Sequence, residues 1–141
     1  MKKKAITAIC VLLAIITAVT MLITTKSKGD ISNVNRIISY SCYYDKELIN
    51  NAFDIVMEEF ANEFEGCTLV ELRYDEQAVI TEIGNYIYEN NRELIVLFST
   101  FNTDAKGGDG SLNPDDTYTN WKWYLVRTED MQSWEIIDWG Y

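Results

Sequence analysis

The chain has 141 residues, no histidine, and a formal charge of −10 from 12 basic and 22 acidic residues. The lack of histidine excludes Ser-His-Asp and Cys-His catalysis, His-ligated zinc and His-based proton transfer. All 22 acidic residues but only 7 of the 12 basic residues follow Lys28, so that part of the chain carries a formal charge of −15. This argues against nucleic acid or anionic lipid as a partner, because both bind clustered Lys and Arg. Solubility explains the acidity, and attraction of cations or basic polymers is the alternative.

An uncharged apolar run at residues 5–25 follows three consecutive lysines, Lys2, Lys3 and Lys4. As a helix it would be about 30 Å long, which matches the hydrocarbon core of a bilayer. The lysines before it are predicted to stay in the cytoplasm, which places the rest of the chain outside the cell. We therefore predict a cytoplasmic stub at 1–4, a transmembrane signal-anchor helix at 5–25, a linker at 26–38 and an extracytoplasmic domain at 39–141.

A cleaved secretory signal peptide is the alternative interpretation of the same segment. Its apolar stretch usually covers only about 7 to 15 residues and ends before a small-x-small cleavage site. Here the stretch is longer, and the triplet at residues 27–29 is the only small-x-small pattern soon after it. Cys10 lies in the middle of the apolar run, which does not fit a lipoprotein. We favour a retained anchor, so the expected location is the cell membrane, with a single pass.

The first element of the outer domain is predicted to be an amphipathic helix of about twenty residues. Asp45 is a good N-cap, Glu47 lies in the first turn, and Gly66 supplies a left-handed position that ends the helix. The apolar residues recur every three or four positions: Ile49, Phe53, Val56, Met57, Phe60 and Phe64. The acidic residues Glu58, Glu59 and Glu63 are interpreted as a solvated helix face rather than a paired-carboxylate site.

The remaining pattern predicts a strand, a second helix and three further strands. Residues 67–74 alternate loosely in polarity, and a weaker apolar stripe starts near Asp75 and breaks at residues 90–91. Residues 94–101 have the composition of a buried strand, and residues 118–127 and 134–141 are predicted to be two more strands. The fold class is therefore α+β. Cys42 and Cys67 either form a disulfide in an oxidising compartment or are small buried side chains, and the sequence leaves both open.

The loop at residues 104–116 combines acidic residues with glycine, a composition that calcium sites also use. Its oxygen-bearing side chains are Asp104, Asp109, Asn113, Asp115 and Asp116. Their spacing does not fit an EF-hand loop, and Gly, Asp, Asn and Pro are ordinary residues of a connection between strands. We predict no metal and no cofactor here.

Aromatic residues are concentrated in the carboxyl-terminal part, where all four tryptophans occupy the last 21 positions. Trp121, Trp123 and Leu125 share one strand face, because side chains alternate along a strand. Trp123 and Trp139 are predicted to be buried, since a fully exposed row would form a larger apolar patch than monomers usually carry. Trp121 and Tyr141 are the predicted ligand-binding residues at the open end of the row.

Several short motifs in order resemble a family of unknown function found in anchored or exported proteins of Gram-positive anaerobes. They are the stretches at 64–69, 74–76, 108–114, 118–123 and 134–141. The family is similar to the nuclear transport factor 2-like group, in which helices pack on a curved antiparallel sheet to form a cup. The resemblance implies that fold and a possible pocket, but no activity.

We therefore expect a non-catalytic module that binds an unknown small ligand or surface protein. The alternatives are an enzyme that uses Asp or Glu with Tyr in an apolar pocket, and a structural spacer. The oligomeric state is not predicted.

Overall fold

A computed structural model describes residues 29–85 and 92–141, so the predicted anchor at 5–25 lies outside the described residues. No helix within the described ranges is long and apolar enough to cross a membrane. The described elements are, in chain order, β1 (Asn35–Ile38), α1 (Lys46–Glu63), β2 (Cys67–Tyr74), α2 (Glu76–Asn85), β3 (Leu94–Thr103), β4 (Thr117–Arg127) and β5 (Trp134–Gly140). The predicted α+β class is confirmed.

The five strands form one sheet in the order β1-β2-β3-β4-β5. Strands β2 to β5 are antiparallel neighbours, as predicted, but β1 runs parallel to β2. The expectation of a purely antiparallel sheet is therefore wrong, and the sheet is mixed. The physical reason is the connection, because α1 lies between β1 and β2 in the chain and acts as the crossover that a parallel pair requires.

Strand β1 lies within residues 26–38, the predicted linker. Before it, the N–H of Gly29 donates to the carbonyl of Ala61 at 3.2 Å. The N–H of Asp30 then donates to the carbonyl of Cys67 at 2.8 Å. These bonds tie the chain to the end of α1 and to β2, so the folded part already includes Gly29.

Helix α1 has the boundaries and the buried face that its sequence predicts. The side chain of Asp45 accepts a hydrogen bond from the N–H of Leu48 at 2.8 Å, which caps the amino end. The helix ends at Glu63, and Gly66 follows with φ of 71°, a conformation that glycine adopts without strain. The buried residues are Ile49, Ala52, Phe53, Val56 and Phe60.

The core lies mainly between α1 and the sheet, and α2 lies near the opposite face. Strand β3 is buried along most of its length, as predicted for the run at 94–101. On the α2 side, Glu82 accepts a hydrogen bond from the hydroxyl of Tyr124 at 3.2 Å and pairs with Lys122 at 3.1 Å. Because Tyr124 follows Trp123 in β4, it projects from the opposite face of the sheet to Trp123.

The packing of α1 gives the first prediction. Phe60 is fully buried and stacks on Phe64 with ring centroids 4.5 Å apart. Phe60→Ala should lower the free energy of unfolding by about 3 to 5 kcal/mol, because it leaves a cavity between helix and sheet. Glu58→Ala, at an exposed position of the same helix, is the control and should change it by less than about 0.5 kcal/mol. Equal losses in a denaturant titration would contradict the described helix orientation.

Candidate ligand-binding cleft

An aromatic row on the α1 side of the sheet continues past the carboxyl end of the helix. Trp121 and Trp123 both contact Phe64, with ring centroids 6.1 Å and 5.4 Å away. The prediction that these two tryptophans share a strand face is confirmed. Trp123 is fully buried, as predicted, and its Nε1 donates to the hydroxyl of Ser99 at 2.9 Å.

Trp139 is 40% exposed, so the prediction that it is buried is wrong. It pairs across the strands with Trp123, and their ring centroids are 5.7 Å apart. Trp139 lies in the edge strand β5, and helix α1 ends before it covers this part of the sheet. One side of the indole therefore packs on Trp123, and another side is open.

A cleft of about 210 Å³ lies where the helix leaves the aromatic row uncovered. Trp121 and Trp139 contribute the sheet side of the cleft. The residues that end α1 and follow it form one wall, and the loop between β3 and β4 forms the other. The wall residues are Glu63, Phe64 and Glu65 on the helix side, and Gly108, Asp109, Ser111 and Leu112 on the loop side.

Two glycines let the loop approach the end of α1. A Cβ on Gly66 would lie 2.7 Å from Oδ2 of Asp104, and one on Gly108 would lie 2.8 Å from the carbonyl oxygen of Glu65. Both glycines also have positive φ, at 71° and 68°. A side chain at either position would push the loop away from the helix end, so these glycines set the width of the cleft.

The loop carboxylates cap backbone N–H groups. Oδ1 of Asp104 accepts from the N–H groups of Gly108 at 3.0 Å and Lys106 at 2.9 Å, and these bonds hold the pKa of Asp104 below its usual range. Oδ1 of Asp109 accepts from the N–H of Ser111 at 3.0 Å. In the described part of the chain, no group of three or more His, Cys, Asp and Glu side chains is arranged to hold a metal ion.

The two ligand-binding residues predicted from sequence lie side by side. The rings of Trp121 and Tyr141 are 5.3 Å apart, and both contact Tyr118. Trp121 is partly buried and lines the cleft, and Tyr141 is 71% exposed beside it. The indole Nε1 of Trp121 is buried with no hydrogen-bond partner among the described residues, which is rare for a buried N–H.

Sequence reasoning did not identify the other cleft residues. Trp139 was assigned to the core, and Phe64 was treated only as the last member of the helical stripe. The position of Phe64 two residues before Gly66 is a usable signal, because a side chain at a helix end is covered on one side only. No comparable signal marks Glu65, and the sequence marks Asp109 only as a residue of the acidic glycine loop considered for calcium. The positions of both depend on how the loop folds against the helix.

Cys42 is exposed and Cys67 is buried, and both thiols are free. Cys67 contributes to the wall of the cleft. Burial raises the pKa of the Cys67 thiol to about 11, and the nearby carboxylates of Asp104 and Asp109 act in the same direction. The thiol therefore stays protonated at neutral pH, which is opposite to what a nucleophilic cysteine requires.

Tyrosine hydroxyls contact carboxylates on both faces of the sheet: that of Tyr124 donates to Glu82, which also pairs with Lys122, and a second contact involves Tyr74. The hydroxyl of Tyr74 is 3.4 Å from Oε2 of Glu76. Burial acts to raise the pKa of Glu76, but hydrogen bonds, above all from the N–H of Cys42, lower it overall. Among the described residues, the carboxyl groups whose pKa shifts from the usual range all have a lowered pKa: Asp30, Glu76, Asp104 and Asp130. A general acid at neutral pH needs a raised pKa.

No protein-family model matches the chain, and neither a curated protein nor a solved structure matches it significantly.

The burial of Cys67 gives the second prediction. In a Cys10→Ala variant of the full chain, a water-soluble thiol reagent should label Cys42 within seconds to minutes and leave Cys67 unlabelled until denaturant is added. Burial and the raised pKa of Cys67 both slow the reaction. A Cys10→Ala, Cys42→Ala variant should show no fast-reacting thiol. Fast labelling of that variant, followed by mass spectrometry, would show that the cleft wall is open.

Proposed function

We propose that this chain is a membrane-anchored, extracytoplasmic module that binds a small ligand in the cleft without catalysis. The observation that carries the proposal is the uncovered aromatic surface formed by Trp121 and Trp139 between the end of α1 and the loop. Ligand sites are concave and largely apolar, with a few polar groups that orient the ligand. The carboxylates and the Ser111 side chain at the walls are polar groups of that kind.

The same proposal includes a nuclear transport factor 2-like cup as the fold. Its support is the antiparallel succession β2 to β5, with one long helix packed on one face. Register shifts in these strands, at 69/71, 99/101 and 124/125, are places where a sheet bends. Helix α1 would fill most of such a cup, and the cleft would be the part of its mouth that remains open.

The cleft favours ligand binding over the two alternatives. A structural spacer has no need of an aromatic surface that remains partly exposed beside a concave site. An enzyme that uses an acid with a tyrosine would need a carboxyl group with a raised pKa, whereas the pKa of Glu76, beside Tyr74, is lowered. Glu82, beside Tyr124, already pairs with Lys122. Trp121, Trp139 and the wall carboxylates are well suited to holding a ligand by contact and charge.

In this proposal the cleft would lie near the membrane, and the contacts of Gly29 support this. Gly29 is hydrogen-bonded to Ala61 in the last turns of α1, beside the wall formed by Glu63, Phe64 and Glu65. The predicted anchor ends at residue 25, and the four steps from residue 25 to Gly29 span at most about 13 to 14 Å when extended. The open end of the aromatic row would then lie close to the outer surface of the bilayer.

The third prediction separates the binding side chain from the core side chain. Ligand-observed NMR should identify a ligand in a library of small ammonium compounds, sugars and flat aromatic compounds. The full chain in phosphatidylglycerol nanodiscs is the target. Trp121→Ala should lower the affinity for that ligand at least tenfold and leave unfolding cooperative.

Trp123→Ala is the matched control for this experiment. It should lower the free energy of unfolding by about 3 to 5 kcal/mol, because Trp123 is fully buried. A library without any hit, or a hit whose affinity is unchanged in Trp121→Ala, would refute the proposed site.

The fourth prediction concerns the anchor. The intact chain should stay in the membrane fraction at high salt and at alkaline pH, because residues 5–25 are long enough to span the bilayer. Ile15→Arg should weaken insertion by about 2.5 to 3.5 kcal/mol, and Ile15→Leu should not. Recovery of a soluble product that begins near residue 29 would show cleavage instead of anchoring.

A further inference from the structure

We propose that the cleft recognises a small organic cation through an alkylated ammonium group. This inference rests on the proposed ligand-binding function and specifies its ligand class. It follows from three features of the cleft: the aromatic surfaces of Trp121 and Trp139, the carboxylates at the walls, and the small volume.

The aromatic surfaces suit a cation that is weakly hydrated. A positive group over the face of a tryptophan is attracted by the negative charge of the ring face, and tryptophan is the best of the aromatic side chains for this. Trp121 and Trp139 both line the cleft, and Tyr141 lies 5.3 Å from Trp121. An alkylated ammonium group gives up less hydration than a primary ammonium, which is compact and strongly hydrated.

The charge distribution selects a cation over an anion or a neutral ligand. Glu63, Glu65 and Asp109 contribute to the walls, and the cleft lining contains no Lys or Arg from the described ranges. Five of the seven basic side chains after Lys28 form ion pairs with carboxylates that do not line the cleft. These pairs are Arg36 with Asp54, Arg73 with Glu71 and Asp75, Arg92 with Glu135, Lys122 with Glu82, and Arg127 with Glu93. Of the other two, Lys106 belongs to the loop and acts on Asp104, which does not line the cleft either.

The volume of the cleft disfavours large cations, and the hydrogen bonds of its loop carboxylates disfavour calcium. Sites for drug-sized ligands enclose roughly 300 to 1,000 Å³, so a cleft of about 210 Å³ suits a small head group. Calcium takes six to eight oxygen ligands. Oδ1 of Asp104 and Oδ1 of Asp109 already accept backbone hydrogen bonds, and the described residues contain no cluster that could hold a metal ion.

A binding comparison of choline with its neutral isostere, 3,3-dimethylbutan-1-ol, tests the inference. The full chain in phosphatidylglycerol nanodiscs is titrated with each compound, and binding is followed by calorimetry and tryptophan fluorescence. Choline should bind saturably, and the isostere should bind at least tenfold more weakly because it lacks the charge. Higher salt should weaken choline binding, since exposed wall charges are screened.

Single-residue variants measure the aromatic and the electrostatic contributions to choline binding separately. Trp121→Ala should lower the choline affinity at least tenfold, and Glu63→Gln, Glu65→Gln and Asp109→Asn should each lower it about threefold or more. Asp109→Asn keeps the oxygen that accepts the N–H of Ser111, so its effect reports charge and not loss of the turn. Glu58→Gln is the control, because Glu58 is an exposed carboxylate of the same helix that does not line the cleft.

Two sources can supply the same ammonium group: a free solute or the head group of a membrane lipid. Nanodiscs of phosphatidylcholine distinguish them. If the head group is the natural source, free choline should bind more weakly in phosphatidylcholine than in phosphatidylglycerol. If the ligand is a free solute, the two affinities should agree at an ionic strength that screens the negative surface of phosphatidylglycerol. Either result supports the inference and identifies the source.

The outcomes that contradict the inference differ from those that contradict the proposed function. Equal affinity for choline and the neutral isostere, with both lost in Trp121→Ala, would refute cation recognition and leave the ligand-binding function intact. Unchanged choline affinity in all three wall-carboxylate variants would likewise refute it. No binding of either compound would refute it too, and a hit elsewhere in the wider library would then decide whether the cleft binds ligands.

Discussion

The position at which α1 ends separates the core from the cleft. The helix has 18 residues and is about 27 Å long, whereas the 11 residues of β4 extend over about 36 Å. A helix of this length does not cover the whole strand. Trp123 lies under the covered part and is fully buried, and Trp121 lies two residues earlier, at the edge of that cover. The same type of side chain in one row therefore stabilises the fold at one position and remains available for binding at another.

The end of the helix is fixed by backbone geometry. The left-handed conformation at Gly66 redirects the chain into β2, and Gly108 brings the next loop against the carbonyl of Glu65. Asp104 accepts the N–H groups of Lys106 and Gly108 and thereby stabilises the turn of that loop. Because both walls are held by short-range backbone contacts, the cleft is preorganised, which reduces the entropy cost of binding a small ligand.

Local rules identified most elements of this fold, and tertiary packing determined the rest. The capping side chain of Asp45, the stripe that includes Phe60 and the turn at Gly66 each depend on a few neighbouring residues, and the sequence predicted all three. Strand β1 has no clear alternation, and it becomes a strand because β2 offers a parallel edge, so its residues were assigned to a linker. The exposure of Trp139 depends on how far the helix reaches, which no local pattern encodes. Trp121 and Tyr141 are neighbours, as their predicted shared site requires, but the carboxylates beside them come from two other segments.

The negative charge of the domain is relevant to the cleft because several of its carboxylates lie at the cleft walls. Ion pairs elsewhere neutralise carboxylates such as Asp54 and Glu135 locally. Surface pairs of this kind contribute little to stability, but they change where the uncompensated negative charge lies. Glu63, Glu65 and Asp109 surround a concave site with indole walls, and such walls reduce the local dielectric and strengthen the field of nearby charges. A small cation that approaches this acidic domain would therefore be attracted to the aromatic surface of Trp121 and Trp139, which carboxylates border on both walls.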